Sequence, residues 1–223
     1  MKTTCNRTLL TDPDIRLGKL VLERLIRYYR FLSEITAKAQ VPTVTSARIA
    51  GALDIDPTQV RKDFGAIGLQ GMGRVGYDVC EVCSAIRVVL GFDQKYDAVL
   101  VGAGNLGGAL LAYKGFESGF GRYGLSIVAA FDHDKSKIGG GISGCPIKAM
   151  RVMKPFIKSH GIRLAILTTP PDVSQKLTDR LVSAGVKAIW NFTPTRLLAP
   201  TDVLVRNEHI SIGLAEIAYH LKQ

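Results

Sequence analysis

Tyr96-Asp-Ala-Val-Leu-Val101 runs into Gly102-Ala-Gly104-Asn105-Leu106-Gly107, and Gly108-Ala-Leu-Leu-Ala-Tyr113 follows with helical composition. A strand-length apolar run, a G-x-G-x-x-G turn and a helix, in that order, predict the first crossover of a dinucleotide-binding parallel sheet. Gly102 allows the tight turn, Gly104 lets backbone approach a pyrophosphate, and Gly107 lets the helix sit close on the strand. The free N–H groups and the dipole at the helix start then favour the phosphates.

Downstream, Leu125–Phe131 reads as a second strand and ends in Asp132, where an acid would accept hydrogen bonds from the adenosine ribose. A carboxylate there repels a 2′-phosphate and favours NAD over NADP, a preference softened by Lys135 and Lys137. The other role open to Asp132 is N-cap of a helix over Asp134-Lys-Ser-Lys137. Strands over 164–168 and 186–191 end at Thr168-Thr-Pro170-Pro and Asn191-Phe192-Thr-Pro. These loops line the carboxyl edge of such a sheet and are expected cofactor walls. A last amphipathic helix carries Ile210, Leu214, Ile217 and Leu221 on one stripe, which needs either its own sheet or a second subunit.

Upstream, the pattern turns helical. Ile15, Leu17, Leu20, Val21, Leu25, Tyr28, Leu32 and Ile35 define one amphipathic helix within 14–39. A second helix starts near Thr45 or Ser46 as N-cap and runs to Leu53. A third opens on Asp56 as cap, with Pro57 at its first position and Gln59 three residues after the cap, and runs to Ile67. Two short helices across the turn Asp54-Ile-Asp56 predict a helix-turn-helix, whose second helix enters the major groove. Thr58, Gln59, Arg61 and Lys62 occupy its early, base-facing positions, with Ser46 at the start of the preceding helix. A solvated helix in an adaptor would share this pattern. Gly68-Leu-Gln-Gly-Met-Gly-Arg74-Val-Gly-Tyr-Asp-Val79 is dense in glycine and predicts a twisted two-strand ribbon, a wing with Arg74 as its cation.

The formal charge of +10 calls for an anionic partner. It does not say where, because residues 1–85 hold 12 Lys/Arg against 9 Asp/Glu and residues 86–223 hold 17 against 10. No apolar run reaches the roughly 18 residues of a membrane helix, and no apolar segment follows the first residues, so a cytoplasmic protein with no membrane partner is expected. Cys80 and Cys83 lack a complementing Cys or His pair, which favours helix packing over a thiol switch and leaves no metal site expected. His133, His160, His209 and His220 are the histidines, and none follows a late strand where a dehydrogenase would keep its proton donor. No enzymatic activity is expected. Roughly 120 residues of sheet domain, read as a Rossmann half-fold, also leave no substrate domain.

Taken in order, Tyr28-Tyr-Arg-Phe-Leu32, Gln59-Val-Arg-Lys-Asp63, Val75-Gly-Tyr-Asp-Val79, Gly102–Gly107, Phe131-Asp132 with Lys137-Ile-Gly139, and Asn191-Phe-Thr-Pro-Thr-Arg196 resemble the bacterial redox-sensing repressor family Rex, from about Leu20 to Leu221. The resemblance implies an α/β protein. A winged helix-turn-helix domain spans 1–90, with the helix-turn-helix about 28–67 and the wing about 68–79. A Rossmann NAD(H)-binding domain spans 91–207, and a dimerisation helix over 208–223 swaps into a partner. It implies a homodimer on a near-palindromic operator when NADH is low, released by NADH, with NAD⁺ competing. By the same resemblance Arg61 and Lys62 match recognition cations. Gly102, Gly104, Asn105, Leu106, Gly107 and Asp132 match the cofactor loop, and Arg30 and Tyr113 match coupling positions. Two departures stand out: the wing keeps a single cation at Arg74, and His209 stands where the family commonly has Asp. An NAD-dependent oxidoreductase, or a repressor sensing another adenine-containing ligand such as coenzyme A, are the competing readings.

Overall fold

A computed structural model describes residues 17–39, 41–113 and 123–222. The chain divides into two units, one up to Gln94 and one from Lys95.

In the first unit, α1 (Lys19–Ala39) places Leu25, Tyr28, Tyr29 and Leu32 in the core, the three-and-four spacing of a helix packed along one stripe. Ile15 lies outside the described residues. Helices α2 (Ser46–Leu53) and α3 (Pro57–Ala66) follow, and Thr45 rather than Ser46 caps α2, its hydroxyl accepting from Arg48 N at 3.2 Å. Asp56 caps α3 through Thr58 N at 2.6 Å and Gln59 N at 3.3 Å. The amide of Gln59 does not close the expected capping box. It turns the other way, to Asp63. Tyr28, Phe64 and Tyr77 stack edge-to-face with centroids 5.4 and 4.9 Å apart, joining α1, α3 and the segment after it. Truncating the fully buried Phe64 to Ala would cost about 3–5 kcal/mol.

The expected ribbon within 68–79 is built differently. Tyr77–Asp78 (β2) pairs antiparallel with Thr43–Val44 (β1), a strand from before α2, and 68–76 contributes only a bridge between Met72 and Gly76. The reason is close packing: a Cβ on Gly76 would lie 2.3 Å from the Val44 carbonyl oxygen, so only glycine, at φ +96°, lets the two segments meet. α4 (Val79–Val89) starts directly after β2, capped by Asp78 through Glu81 N at 2.9 Å.

The second unit is a seven-stranded sheet in the order β5-β6-β4-β3-β7-β8-β9, parallel except for the β5–β6 pair. Its strands are β3 (Tyr96–Val101), β4 (Leu125–Asp132), β5 (Gly141–Ile142), β6 (Cys145–Ala149), β7 (Leu164–Leu167), β8 (Ala188–Asn191) and β9 (Leu204–Asn207). Without the short β5, the six parallel strands have the complete 3-2-1-4-5-6 order of the doubly wound dinucleotide fold, which corrects the half-fold expectation. The unit stays small because the β5–β6 hairpin replaces the helix of one crossover and a loop replaces it in the last. Helix α5 (Asn105–Ala112) follows β3, α6 (Met153–Ser159) precedes β7, and α7 (Pro171–Ala184) follows it. Phe131, Met153, Ile157 and Leu181 fill one face of the sheet, and Leu100, Leu111, Ala130 and Ile166 the other. Asp132 is followed by turns rather than a helix, so it caps none. α8 (Ile210–His220) closes the chain. Among the described residues no helix is long and apolar enough to cross a membrane.

Candidate functional sites

In the first unit, α2 and α3 bring three of the expected contact residues together. The Arg61 guanidinium donates to Thr58 Oγ1 at 3.0 Å and to Ser46 Oγ at 3.3 Å. Arg61 and Lys62 are exposed, so this side of α3 presents two cations over a hydroxyl floor. Arg74 stands apart on the exposed turn between Met72 and Gly76 and adopts φ +63°, a left-handed conformation a non-glycine residue holds only at some cost. Behind the face lies a buried acid. Asp63 is 2% exposed and accepts from Arg24 Nε and Nη2 at 2.6 and 2.8 Å, from the Tyr28 hydroxyl at 2.8 Å and from Gln59 Nε2 at 2.8 Å. Burial alone would push its pKa up, but these donors outweigh it and hold the carboxyl below the usual range. Burial, then the bond to Asp63, pushes the Tyr28 phenol well up. In the sequence Asp63 stands only as the last residue of Gln59-Val-Arg-Lys-Asp63, beside the two cations. Arg24, one turn before Tyr28 on α1, was the available signal of its partner.

In the second unit, a cavity of about 790 Å³ opens at the carboxyl ends of β3, β4 and β7, where strand order reverses, and its size falls within the usual 300–1,000 Å³ of ligand pockets. Gly102, Gly104, Asp132, Lys137, Thr168 and Pro170 line it. The first turn of α5 holds Asn105, Leu106 and Gly107, and no side chain caps it, which leaves its backbone N–H groups facing outward. A Cβ on Gly107 would come within 2.0 Å of the Gly102 carbonyl oxygen, whereas one on Gly104 would meet nothing within 4 Å. The helix thus sits hard on the loop while Gly104 keeps an open approach. Thr168 Oγ1 donates to the Gly102 carbonyl at 2.7 Å and locks the loop to the end of β7.

Asp132, 4% exposed, accepts from Ala103 N at 2.8 Å and from Asp134 N at 2.9 Å, and the Lys137 ammonium lies 3.8 Å away. A carboxylate has about four lone-pair directions, so capacity remains for hydroxyl donors. Thr169 Oγ1 is the one buried side-chain oxygen or nitrogen without a hydrogen-bond partner among the described residues, and it lines the same cavity. An orphaned hydroxyl, uncapped N–H groups and a ribose-type acid suit a dinucleotide. Thr169 belongs to the 168–171 loop expected as a wall, whereas Phe131, Met150, Val173 and Lys176 were not legible there, since they come from α7 and from the two ends of the neighbouring strand crossover.

Asn191 and Phe192 are placed otherwise. Asn191 is fully buried: its Nδ2 donates to the Thr195 carbonyl at 3.0 Å and to Asn207 Oδ1 at 2.8 Å, and its Oδ1 accepts from Thr193 N and Oγ1 at 3.0 and 2.8 Å. With every bond used, its amide shapes the loop. The Phe192 ring packs against Trp190, centroids 4.9 Å apart, on the α5 side of the sheet. Tyr113 ends α5, half-exposed, and the exposed His209 begins α8, while Arg30 is exposed on α1 in the first unit. Cys83 is half-buried, and its thiol is pushed up to about 11 by burial first and by nearby Cys80 second. No group of three or more metal-ligating side chains occurs among the described residues.

A helix-turn-helix unit followed in one chain by a dinucleotide-type sheet defines a transcription regulator with a nucleotide-sensing domain. The chain is 34% identical to the redox-sensing transcriptional repressor Rex of Clostridium botulinum (strain Alaska E43 / Type E3) over 95% of its length and 99% of that protein's, and 34% identical to that of Bacteroides fragilis over 95% and 94%. It belongs to the redox-sensing repressor family Rex and is a regulator rather than an enzyme. A family model described as "CoA binding domain" matches residues 93–195, and one described as "Putative DNA-binding protein N-terminus" matches 17–65. Among solved structures, RSP in complex with β-NAD⁺ and operator DNA superposes with a TM-score of 0.85 at 33% identity, covering 92% of this chain and 93% of RSP. RSP in complex with β-NADH gives 0.81 at 34%, covering 92% and 94%.

Proposed function

We propose that this chain is a homodimeric repressor of the cytoplasm that binds a near-palindromic operator when NADH is low and leaves it when NADH rises, with NAD⁺ competing. The observation that carries this reading is the likeness along nearly the whole chain to RSP, crystallised with operator DNA and β-NAD⁺ and also with β-NADH. In this reading Arg61 and Lys62 meet base edges or phosphates, with Ser46, Thr58 and Gln59 beside them and Arg74 on the backbone or minor groove. The dinucleotide pyrophosphate lies against Gly104 and the N–H groups of Asn105, Leu106 and Gly107. Its ribose faces Asp132 with Lys137 beside it, and its far end reaches the wall formed by Thr168 and Pro170. The ligand supplies only binding energy here; no chemistry is asked of it.

Dimerisation falls to residues 208–223. α8 exposes Ile212, Leu214, Ile217, Tyr219 and Leu221, the last at 82%, which is far more apolar surface than one helix keeps in water unless a second copy covers it. Arg30, Tyr113 and His209 are the proposed coupling residues. Each ligand shifts the dimer only by its differential affinity for the DNA-binding and released forms, and DNA must weaken NADH binding by the same factor by which NADH weakens DNA binding. Fluorescence anisotropy on a palindromic promoter fragment at fixed salt, titrated with NADH, NAD⁺ and coenzyme A separately, tests this. Release by NADH alone is expected. Release by coenzyme A instead would favour the second reading, which the CoA-binding description of the sheet domain supports.

A further inference from the structure

The Gln59 side chain has its polarity set from behind. Its amide lies with Nε2 2.8 Å from Asp63 Oδ1. Asp63 is an ionised acceptor, held so by Arg24 and by the Tyr28 hydroxyl. A carboxylate only accepts, so the end of the amide facing it is the amino end; turned over, two acceptor oxygens would face each other. Asp63 is itself fixed by α1, so the arrangement does not swing with Gln59. The other end of the amide, Oε1, has no hydrogen-bond partner among the described residues and is not among the buried unpaired atoms, so it meets solvent. Gln59 belongs to the first turn of α3, next to the exposed Thr58 and one turn before the exposed Lys62. A glutamine free to turn over offers a base either a donor or an acceptor and discriminates poorly. This one is not free.

We propose that the Asp63 contact makes Gln59 an acceptor-first reader of the operator, taking a base that presents an amino group in the major groove, adenine N6 or cytosine N4, on the strand it faces. The inference rests on the DNA-binding reading above. Where the second amino hydrogen of Gln59 remains free, adenine gains a further bond through N7, and in neither case do guanine and thymine on that strand, which present only acceptors, satisfy Oε1. Asp63 touches no base: it is a positioning residue, and what it controls is base preference.

The test replaces, at each half-site position in turn, adenine by purine or cytosine by 2-pyrimidinone, which removes only the amino group. Binding of the wild type is compared with Gln59→Met, similar in length and without a polar head. At one position per half-site, loss of the amino group should weaken the wild type roughly 5- to 150-fold and leave Gln59→Met unchanged. In Asp63→Asn, whose side chain can face either way, that sensitivity should fall while Arg61-dependent discrimination persists. Equal sensitivity of wild type and Gln59→Met to loss of the amino group at every position would overturn the inference. A wild type that cannot tell operator from scrambled duplex would instead sink the DNA-binding reading itself.

Discussion

Asp132 Oδ2 accepts a hydrogen bond from the Ala103 backbone N–H at 2.8 Å, so the acid placed for a ribose also braces the glycine loop that would hold the pyrophosphate. Two ends of one ligand are organised by a single carboxylate. Asp132→Ala should therefore lose more than a ribose contact. Leaving a buried N–H unpaired costs about 1–3 kcal/mol, so the melting temperature of the sheet unit should fall together with the NADH response. A loss of NADH response with unchanged melting would mean that the brace does not matter to the fold.

The Arg24–Asp63 pair joins α1 to α3 with one partner 21% and the other 2% exposed. Removing one side of such a pair leaves an uncompensated charge, and Asp63→Ala should destabilise the first unit by about 3–5 kcal/mol, read by denaturant unfolding. The pH dependence follows. Asp63 is depressed below its unfolded value, so its contribution is present above about pH 4 and is lost as pH falls through the folded value. Wild type should lose stability in that window, and Asp63→Asn should flatten the dependence there. Parallel acid-unfolding curves would contradict this assignment.

Arg74 holds φ +63° at the tip of the turn closed by Met72 and Gly76. Arg74→Gly separates its two roles, because glycine accepts that backbone while the cation disappears. Stability should hold or rise by up to about 1 kcal/mol. Operator and non-operator affinities should weaken alike, and the slope of log affinity against log salt should drop by about 1. Selective loss of operator binding would make Arg74 a base reader instead.

Cys83 has its thiol pushed up to about 11, chiefly by burial. Only the thiolate reacts, so at pH 8 its alkylation by iodoacetamide should run about a hundredfold slower than that of an ordinary cysteine, on thiolate fraction alone. Peptide mass spectrometry against a time course reads this directly. Because the neutral thiol is favoured in the folded chain, any stability it contributes is present at neutral pH and is lost as pH rises past the unfolded value of about 9 toward 11. Rapid labelling of Cys83 in the native protein would mean that α4 opens locally.

The parts legible along the chain were those whose causes lie within a few residues. Asp56-Pro57 predicts the start of α3, and Asp56 does cap it. The run Tyr96–Val101 with Gly102, Gly104 and Gly107 predicts strand, turn and helix, and β3 and α5 occupy those places. Caps, fixed φ angles and apolar periodicity act locally, so residue order alone determines them, and with them the fold class. The partners were not legible. Thr43–Val44 is too short to announce itself as the strand that β2 needs, and β5 is equally brief. Gln59 looks like a capping-box residue until α1 brings Arg24 to Asp63, 39 positions along the chain, and the amide turns to the buried acid. Asn191 looks like a cofactor wall until β9 supplies Asn207 and its amide is used up. In each case a buried polar group must find its hydrogen bonds, and which group comes within 3 Å is a property of packing between distant segments, decided only when the chain has folded.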